Sequence, residues 1–349
     1  MPARRAILLP LAPFVLPLLA CARYPVNAPA HTEAPAPDAC AAPSVFAPGI
    51  ISGSANEASP AFTPDSRTVY FSRGNSSGST ILVSHFADGR WSEPGIAPFS
   101  GSWPDLEPAM APDGSFMVFA SSRPIREGGA PLDGIWRGET HKGRGGNLWR
   151  VARRGNAWDP PVRMSDAVNR SSSVFSPAVA GDGSLYFMDP WPASGRFRLY
   201  RSQFENGAYL SPEPLSFSSG EFSDVDPAVA PDESFLVFSS NRPPAASGDL
   251  DLFIVHRAAG RDGSKGAWGE PIRLSGDVNG LGSDIEARLS PDARTLYFST
   301  ARVSPVVFPR TRESAQRDLL RVQSWDTGQT NIWCTALEGR LLAPSTEQK

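Results

Sequence analysis

One stretch of sequence recurs along the chain and indicates its fold. In one copy it reads Asp224-Val-Asp-Pro-Ala-Val-Ala-Pro-Asp232, followed by Phe235-Leu-Val-Phe238. The same pattern recurs four more times, and consecutive copies are 48, 69, 50 and 60 residues apart. Each copy reads as a short strand, a turn with residues that favour tight hairpins, and an aromatic and β-branched return strand. The aspartates equivalent to Asp232 in the other copies are Asp65, Asp113, Asp182 and Asp292. The sequence therefore predicts one structural unit repeated five times.

Each copy then continues with a third strand. In the first four copies a turn that contains Gly and an aromatic residue follows, and then a fourth strand such as residues 271–275. Four antiparallel strands per unit are typical of a propeller blade, so we expect an all-β, five-bladed β-propeller. The fifth copy lacks its fourth strand, and residues 47–56 match residues 270–279. We therefore expect an N-terminal strand to complete the last blade and close the ring, which removes the exposed sheet edge. A six-bladed propeller is the alternative, with a degenerate blade in residues 124–146 or 303–329.

The repeated Pro-Ala-x-x-Pro-Asp segment, with its Leu-Tyr-Phe-Ser return strand and following Arg-Pro, resembles the WD-repeat-like β-propeller repeats of the TolB type. The resemblance covers about residues 44–340. It implies the propeller fold and, because TolB is a periplasmic component of the bacterial envelope, a place in that envelope. It implies little about activity, since propellers host many unrelated functions.

The composition excludes several classes of protein. The 349 residues include 33 basic and 36 acidic ones, for a net charge of −3. A mildly acidic chain has no bulk attraction for nucleic acid, so we expect no nucleic-acid partner. A hydrophobic content of 40% excludes global disorder, and three cysteines cannot form a disulfide-rich scaffold.

The N-terminal segment indicates export. Residues 1–20 combine Arg4 and Arg5 with a short apolar run, as a secretory signal peptide does. The run ends in Leu18-Leu19-Ala20-Cys21, which resembles a bacterial lipobox and implies that Cys21 is lipidated. The residue after Cys21 is Ala, which by the lipoprotein sorting rule implies an outer-membrane lipoprotein facing the periplasm. An ordinary signal peptide with an incidental cysteine is the alternative. Residues 21–43 are rich in Pro and Ala and are predicted to be an extended tether, which leaves 44–349 for the propeller.

The remaining cysteines bear on ring closure. Cys334 lies in the third strand of the fifth copy, and Cys40 lies just before the N-terminal strand that we expect beside it. A disulfide between them is plausible in an oxidising compartment and would contribute about 4–5 kcal/mol by chain-entropy reasoning. The alternative is a free Cys40 and a buried, apolar Cys334.

Acidic residues recur at the start of the first strands, at two positions that share a face of a regular strand. Seven carboxylates are therefore expected around the top of the central channel, where they would raise one another's pKa or recruit a structural cation. Nearby aromatic residues complete a set of ligand-binding candidates suited to a sugar or a basic peptide. The candidates are Glu57, Asp105, Glu107, Asp224, Asp226, Asp284, Glu286, Trp103, Trp136 and Trp191. A structural role, in which Arg123, Arg242 and Arg302 pair with the carboxylates of neighbouring blades, is the stronger interpretation of these positions.

No set of catalytic residues or metal-ligand spacing is recognisable, so we expect no metal site or cofactor beyond that cation. We therefore expect a lipid-anchored, non-catalytic binding or scaffolding module with an envelope protein or a glycan as its partner. The alternative is a glycan-active enzyme that resembles five-bladed glycoside hydrolases. In that case Glu107, Asp226 and Glu286 are the catalytic candidates, and a pair of them must lie about 5–10 Å apart.

Overall fold

Five antiparallel sheets, one from each copy of the repeat, form the blades of a five-bladed β-propeller. The computed structural model describes residues 40–245, 249–260 and 265–337. The innermost strands of consecutive blades lie side by side, and the innermost strand of blade 5 contacts that of blade 1. The prediction of five blades is confirmed, because the segments proposed for a sixth form insertions between strands instead.

The blades have a common order, in which the first strand lies innermost and short outer strands follow the third. Blade 1 contains Asn56–Phe62, Thr68–Asn75, Gly78–Ala87, Arg90–Trp91 and Gly95–Ile96. Blade 2 contains Asp105–Met110, Phe116–Ser121, Asn147–Arg154, Ala157–Trp158 and Val162–Arg163. Blade 3 contains Phe175–Val179, Leu185–Pro190, Phe197–Ser202 and Glu213–Pro214, beside a small hairpin of Phe204–Glu205 and Ala208–Tyr209. Blade 4 contains Asp224–Val229, Phe235–Ser240, Asp251–Ala259, Lys265–Trp268 and Ile272–Arg273, and the 3-10 helix Gly276–Val278 follows it.

Blade 5 is built from both ends of the described chain. Its strands Asp284–Leu289, Thr295–Thr300 and Asn331–Ala336 are completed by Ser44–Val45, which pairs with Trp333 and Cys334. The expected closure by an N-terminal strand is confirmed, but the pairing residues precede the stretch that matched in sequence. The amide of Phe46 donates to the carbonyl of Ile332, whereas residues 47–52 form a turn.

Aromatic side chains hold this closure together because they fill the space between blade 5 and blade 1. The ring of Phe46 is fully buried and makes edge contacts with Phe62, Trp91 and Tyr297 at centroid distances of 5.7, 5.6 and 5.3 Å. Such edge-to-face pairs add to the free energy gained from burying apolar area. The last blade is therefore joined to the first by side-chain packing as well as by strand pairing.

Two long insertions lie between second and third strands, and so at the end of the propeller where the innermost strands begin, called here the top. The blade 2 insertion contains a hairpin, Gly134–Trp136 with Glu139–His141. The blade 5 insertion, residues 301–330, contains the α-helix Arg312–Ser324. Among the described residues, no helix has both the length and the apolar character that a membrane span requires.

Candidate functional site

Four of the seven predicted carboxylates form buried ion pairs. Each pairs with an arginine at or just after the end of the second strand of the same blade, not of a neighbouring blade as the sequence suggested. The side chains of the four carboxylates are at most 1% exposed. The pairs are Arg73–Glu57 at 2.9 Å, Arg123–Asp105 at 2.9 Å, Arg242–Asp224 at 2.7 Å and Arg302–Asp284 at 2.8 Å. These carboxylates fix the blades internally and offer little surface to a ligand.

The other three carboxylates, Glu107, Asp226 and Glu286, come together in the central channel. One oxygen from each lies within 4.8 Å of the others. Each residue has a φ of 54–59°, and the strand register shifts just after it. This bulge breaks the alternation of the strand, so the two acidic positions of a blade do not share one environment as a regular strand would require. Ser59 and Ser176 have the same left-handed conformation at the equivalent positions of blades 1 and 3.

Each carboxylate of this channel trio binds the next blade. Glu107 accepts a hydrogen bond from the Ser176 amide at 2.6 Å, and Asp226 accepts one from the Glu286 amide at 3.0 Å. The hydroxyl of Ser59 donates to Glu286, which links blade 5 to blade 1. The trio therefore connects three pairs of blades around the channel.

The electrostatics of the channel disfavour three negative charges at neutral pH. Burial, followed by the charges of Glu286 and Asp226, raises the pKa of Glu107 well above its ordinary value. Burial and the charge of Asp226 raise the pKa of Glu286 to about 7. The guanidinium of Arg288, whose Nη2 lies 3.8 Å from Glu286, opposes this rise.

Arg288 was missed by the sequence analysis, although a signal was present. It stands four residues before its reference aspartate, where the other four copies have alanine. Three carboxylate oxygens near one another are ligands that a hard cation would accept. The structural cation expected from the sequence stays a prediction.

One member of the trio also opens to a cleft in the top face. Glu107 lies among the residues around a cavity of about 460 Å³, between the top of blade 1 and blades 2 and 3. The cavity is bounded by apolar and aromatic side chains, namely Leu106, Trp136, Phe175, Met188 and Phe197. Ser76, Ser79, Ser122 and Arg144 supply polar groups at its edges. A pocket with an apolar wall and a few polar groups is the usual form of a ligand site.

Trp136 is held in place by the blade 2 hairpin. Its ring stacks on His141 with a centroid distance of 3.8 Å and an interplanar angle of 8°. It also contacts the rings of Phe175 at 5.9 Å and Phe197 at 6.1 Å. Of the ten ligand-binding candidates, only Glu107 and Trp136 line this cleft. Phe175 and Phe197 were not selected from the sequence, because in isolation they look like ordinary strand residues.

The two other tryptophan candidates lie outside the cleft. Trp191 is 37% exposed, and the guanidinium of Arg198 lies 4.7 Å from its ring centroid. Trp103 is partly buried in the bend just before the innermost strand of blade 2. The structure therefore separates the aromatic candidates that the sequence grouped.

The cysteines take part in ring closure. Cys40 and Cys334, the pair considered from the sequence, are joined by a disulfide, and both are buried. The amide of Ala336 donates to the carbonyl of Cys40, which extends the contact. The lipidation candidate Cys21, the signal peptide at 1–20 and most of the tether lie outside the described residues.

No protein-family model matches the chain, and no curated protein matches it. Solved structures do match. TolB from Acinetobacter baumannii is 16% identical with a TM-score of 0.43, over 70% of this chain and 49% of that chain. A protein assigned as TolB from Agrobacterium tumefaciens is 16% identical with a TM-score of 0.44, over 74% of this chain and 73% of that one. The α-L-arabinofuranosidase of Podospora anserina, solved with cellotriose, is 12% identical with a TM-score of 0.45, over 83% of this chain and 94% of the enzyme.

The chain thus spans about half the length of the Acinetobacter TolB that it matches. At these identities and TM-scores the likeness carries no activity over to this chain. The TolB resemblance noted in the repeats recurs among the solved structures, and the chain is a five-bladed β-propeller similar in fold to TolB proteins.

Proposed function

We propose that this protein is a non-catalytic binding module of the bacterial envelope, anchored by lipid at Cys21, that takes a protein or glycan ligand into its top-face cleft. The observation that carries the proposal is the cleft itself, with Trp136 on its wall and Glu107 at the channel. Aromatic faces bind sugar rings and cationic side chains, and a carboxylate accepts hydrogen bonds from both.

The arrangement of carboxylates favours binding over hydrolysis. Glycoside hydrolysis uses two carboxyl groups that flank the scissile bond, roughly 5–10 Å apart. One oxygen of each channel carboxylate lies within 4.8 Å of the others, which is close to that range, but Glu107 is the one among them that lines the cleft. Asp226 and Glu286 do not line the cleft, although all three carboxylates accept a hydrogen bond from a neighbouring blade. This leaves one carboxylate in position to face a ligand.

A capture experiment tests the proposal. The purified protein and its Trp136→Ala variant are each incubated with detergent-solubilised envelope and, separately, with an array of envelope polysaccharides. We expect a specific ligand that the wild type retains and Trp136→Ala loses. Trp191→Ala is the matched control, because it removes a partly exposed tryptophan that does not line the cleft.

A second variant displaces the Trp136 ring without removing it. A Cβ at Gly134 would lie 2.0 Å from a carbon of the Trp136 ring, so Gly134→Ala must displace the indole. It should therefore weaken capture as Trp136→Ala does. Glycan cleavage that Glu107→Gln abolishes would contradict the non-catalytic assignment and favour the hydrolase alternative.

A further inference from the structure

The helix of the blade 5 insertion leaves its large apolar side chains exposed, unlike a helix that packs on a protein core. Its least exposed residues are Ser314, Ala315, Asp318 and Arg321, and the Asp318 side chain is only 19% exposed. Leu319, the next residue, is 55% exposed, and none of the helix residues is buried. An amphipathic helix normally buries its apolar stripe.

Ionic contacts hold the helix in this orientation. Asp318 pairs with Arg310 at 2.6 Å and with Arg321 at 3.3 Å. Arg321 also pairs with the buried Asp326 at 2.9 Å, and Asp326 accepts a hydrogen bond from the amide of Ser304. The polar edge of the helix is thus fixed to its own loop, and the apolar side chains are left outward.

The exposed apolar residues of the protein are concentrated in this insertion. The large apolar residues in the insertion that are exposed are Val303, Val306, Val307, Phe308, Leu319, Leu320 and Val322. They are seven of the sixteen such residues in the described part of the chain, although the insertion has only 30 residues. Phe308 is 71% exposed and stands beside Arg310, whose guanidinium lies 4.9 Å from its ring. Apolar patches of this kind mark an interaction surface.

The charge of the insertion identifies the kind of surface. Five arginines against three acidic residues give residues 301–330 a charge of +2, so the remainder of the chain carries −5. Basic residues interspersed with Phe, Leu and Val are typical of segments that lie in the interface of an anionic membrane. An acidic body with a basic, apolar projection is suited to contact such a surface through the projection alone.

An anchor at Cys21 would leave blade 5 within reach of a membrane. The described chain begins at Cys40, which is bonded to Cys334 in the strand that directly follows the insertion. The proposed anchor at Cys21 lies 19 residues upstream of Cys40. Cys40 lies near the end of that strand opposite the insertion, since its carbonyl accepts a hydrogen bond from the amide of Ala336. A tether of 19 residues at about 3.1 Å per residue spans roughly 60 Å, which is long enough for the insertion to reach a lipid surface to which Cys21 is anchored. We propose that the blade 5 insertion docks on the anionic lipid surface with Phe308, Leu319, Leu320 and Val322 in the headgroup region; this proposal rests on the lipid anchor of the proposed function.

Site-specific quenching tests the docking. A Leu320→Cys variant of the full chain is labelled with a polarity-sensitive fluorophore and reconstituted in vesicles of phosphatidylethanolamine with a minority of phosphatidylglycerol, with nitroxide groups on the acyl chains. The matched control is Val162→Cys, an exposed apolar position on an outer strand of blade 2. We expect the label at position 320 to be quenched and the label at 162 to keep its emission. Adding Leu319→Gln and Val322→Gln should abolish the quenching at 320 while the protein keeps its cooperative unfolding.

Flotation of the same vesicles separates this proposal from the anchor. Protein that floats without quenching at position 320 would overturn the docking and leave the anchor intact. Protein that does not float would overturn the anchor, and with it the docking. A change of emission at 320 that grows with protein concentration in the absence of vesicles would assign the surface to a second copy of the chain and so overturn the docking.

Discussion

Removing the Cys40–Cys334 disulfide should lower stability by an amount set by the loop that it closes. The bonded residues are 294 apart in sequence. For a loop of that length the chain-entropy relation gives about 5–6 kcal/mol as an upper value, which is above the figure of about 4–5 kcal/mol expected from the sequence. An unfolding entropy of roughly 2.1 cal/mol/K per residue over about 300 ordered residues gives ~0.6 kcal/mol/K. The double variant Cys40→Ala/Cys334→Ala is therefore expected to melt about 8–10 °C below the wild type.

Differential scanning calorimetry of the oxidised wild type, the chemically reduced wild type and the double variant measures this. The reduced protein and the double variant should melt together, since each lacks the cross-link. Ser52→Ala is a useful control, because the Ser52 hydroxyl donates to the carbonyl of Ile332 in the same closure without a covalent bond. It should cost only about 1 kcal/mol. A double variant that melts within about a degree of the oxidised wild type would refute the loop argument, because such a shift corresponds to less than about 1 kcal/mol.

Two further predictions concern buried charge. Because the pKa of Glu286 is raised from 4.5 to about 7 in the folded state, the folded protein holds a proton that the unfolded chain has released between those pH values. Stability should therefore fall as pH rises across that window, and Glu286→Gln should flatten this part of a plot of Tm against pH; an unchanged slope would contradict the assignment. Arg242→Ala leaves Asp224 buried without its cation and should cost about 3–5 kcal/mol in urea unfolding, with part recovered when Asp224→Ala is added. Arg154→Ala, which breaks a pair whose arginine is 77% exposed, should leave the urea midpoint unchanged, and equal losses for the two arginines would argue against a role for burial.

The repeats predicted the blades because each copy carries its own turn and strand signals. The sequence predicted the closing strand a few residues too far along the chain, because the amino-acid types of residues 47–56 match those at the end of blade 4. In the structure Phe46 makes the backbone bond to Ile332 that Leu274 makes to Leu252 in blade 4. Phe46 fills the aromatic pocket between blades 5 and 1. The choice of Phe46 as the pairing residue therefore depends on tertiary packing, which the sequence match does not show.

The candidate site was predicted less well, for a local reason. A period of two places both acidic positions of a strand on one face, but the left-handed residue in each innermost strand interrupts that period. A non-glycine residue in this conformation has no clear signature in sequence, so the sorting of four carboxylates to arginines and three to the channel was not foreseen. The helix of the blade 5 insertion was missed although Thr311 caps it and helix-forming residues follow. Its apolar residues point outward, and a search for core-facing periodicity passes over such a segment.

The position of the disulfide determines which strands bear a mechanical force applied at the N-terminus. Tension on a lipid-anchored N-terminus would enter the described chain at Cys40 and pass through the covalent bond to Cys334. It would then reach the strand Asn331–Ala336, which is hydrogen-bonded along its length to Thr295–Thr300. The two-residue strand Ser44–Val45, which alone would unzip easily, is bypassed. A pull from the membrane would therefore be borne by the paired strands of blade 5, and not by the two-residue strand that closes the ring.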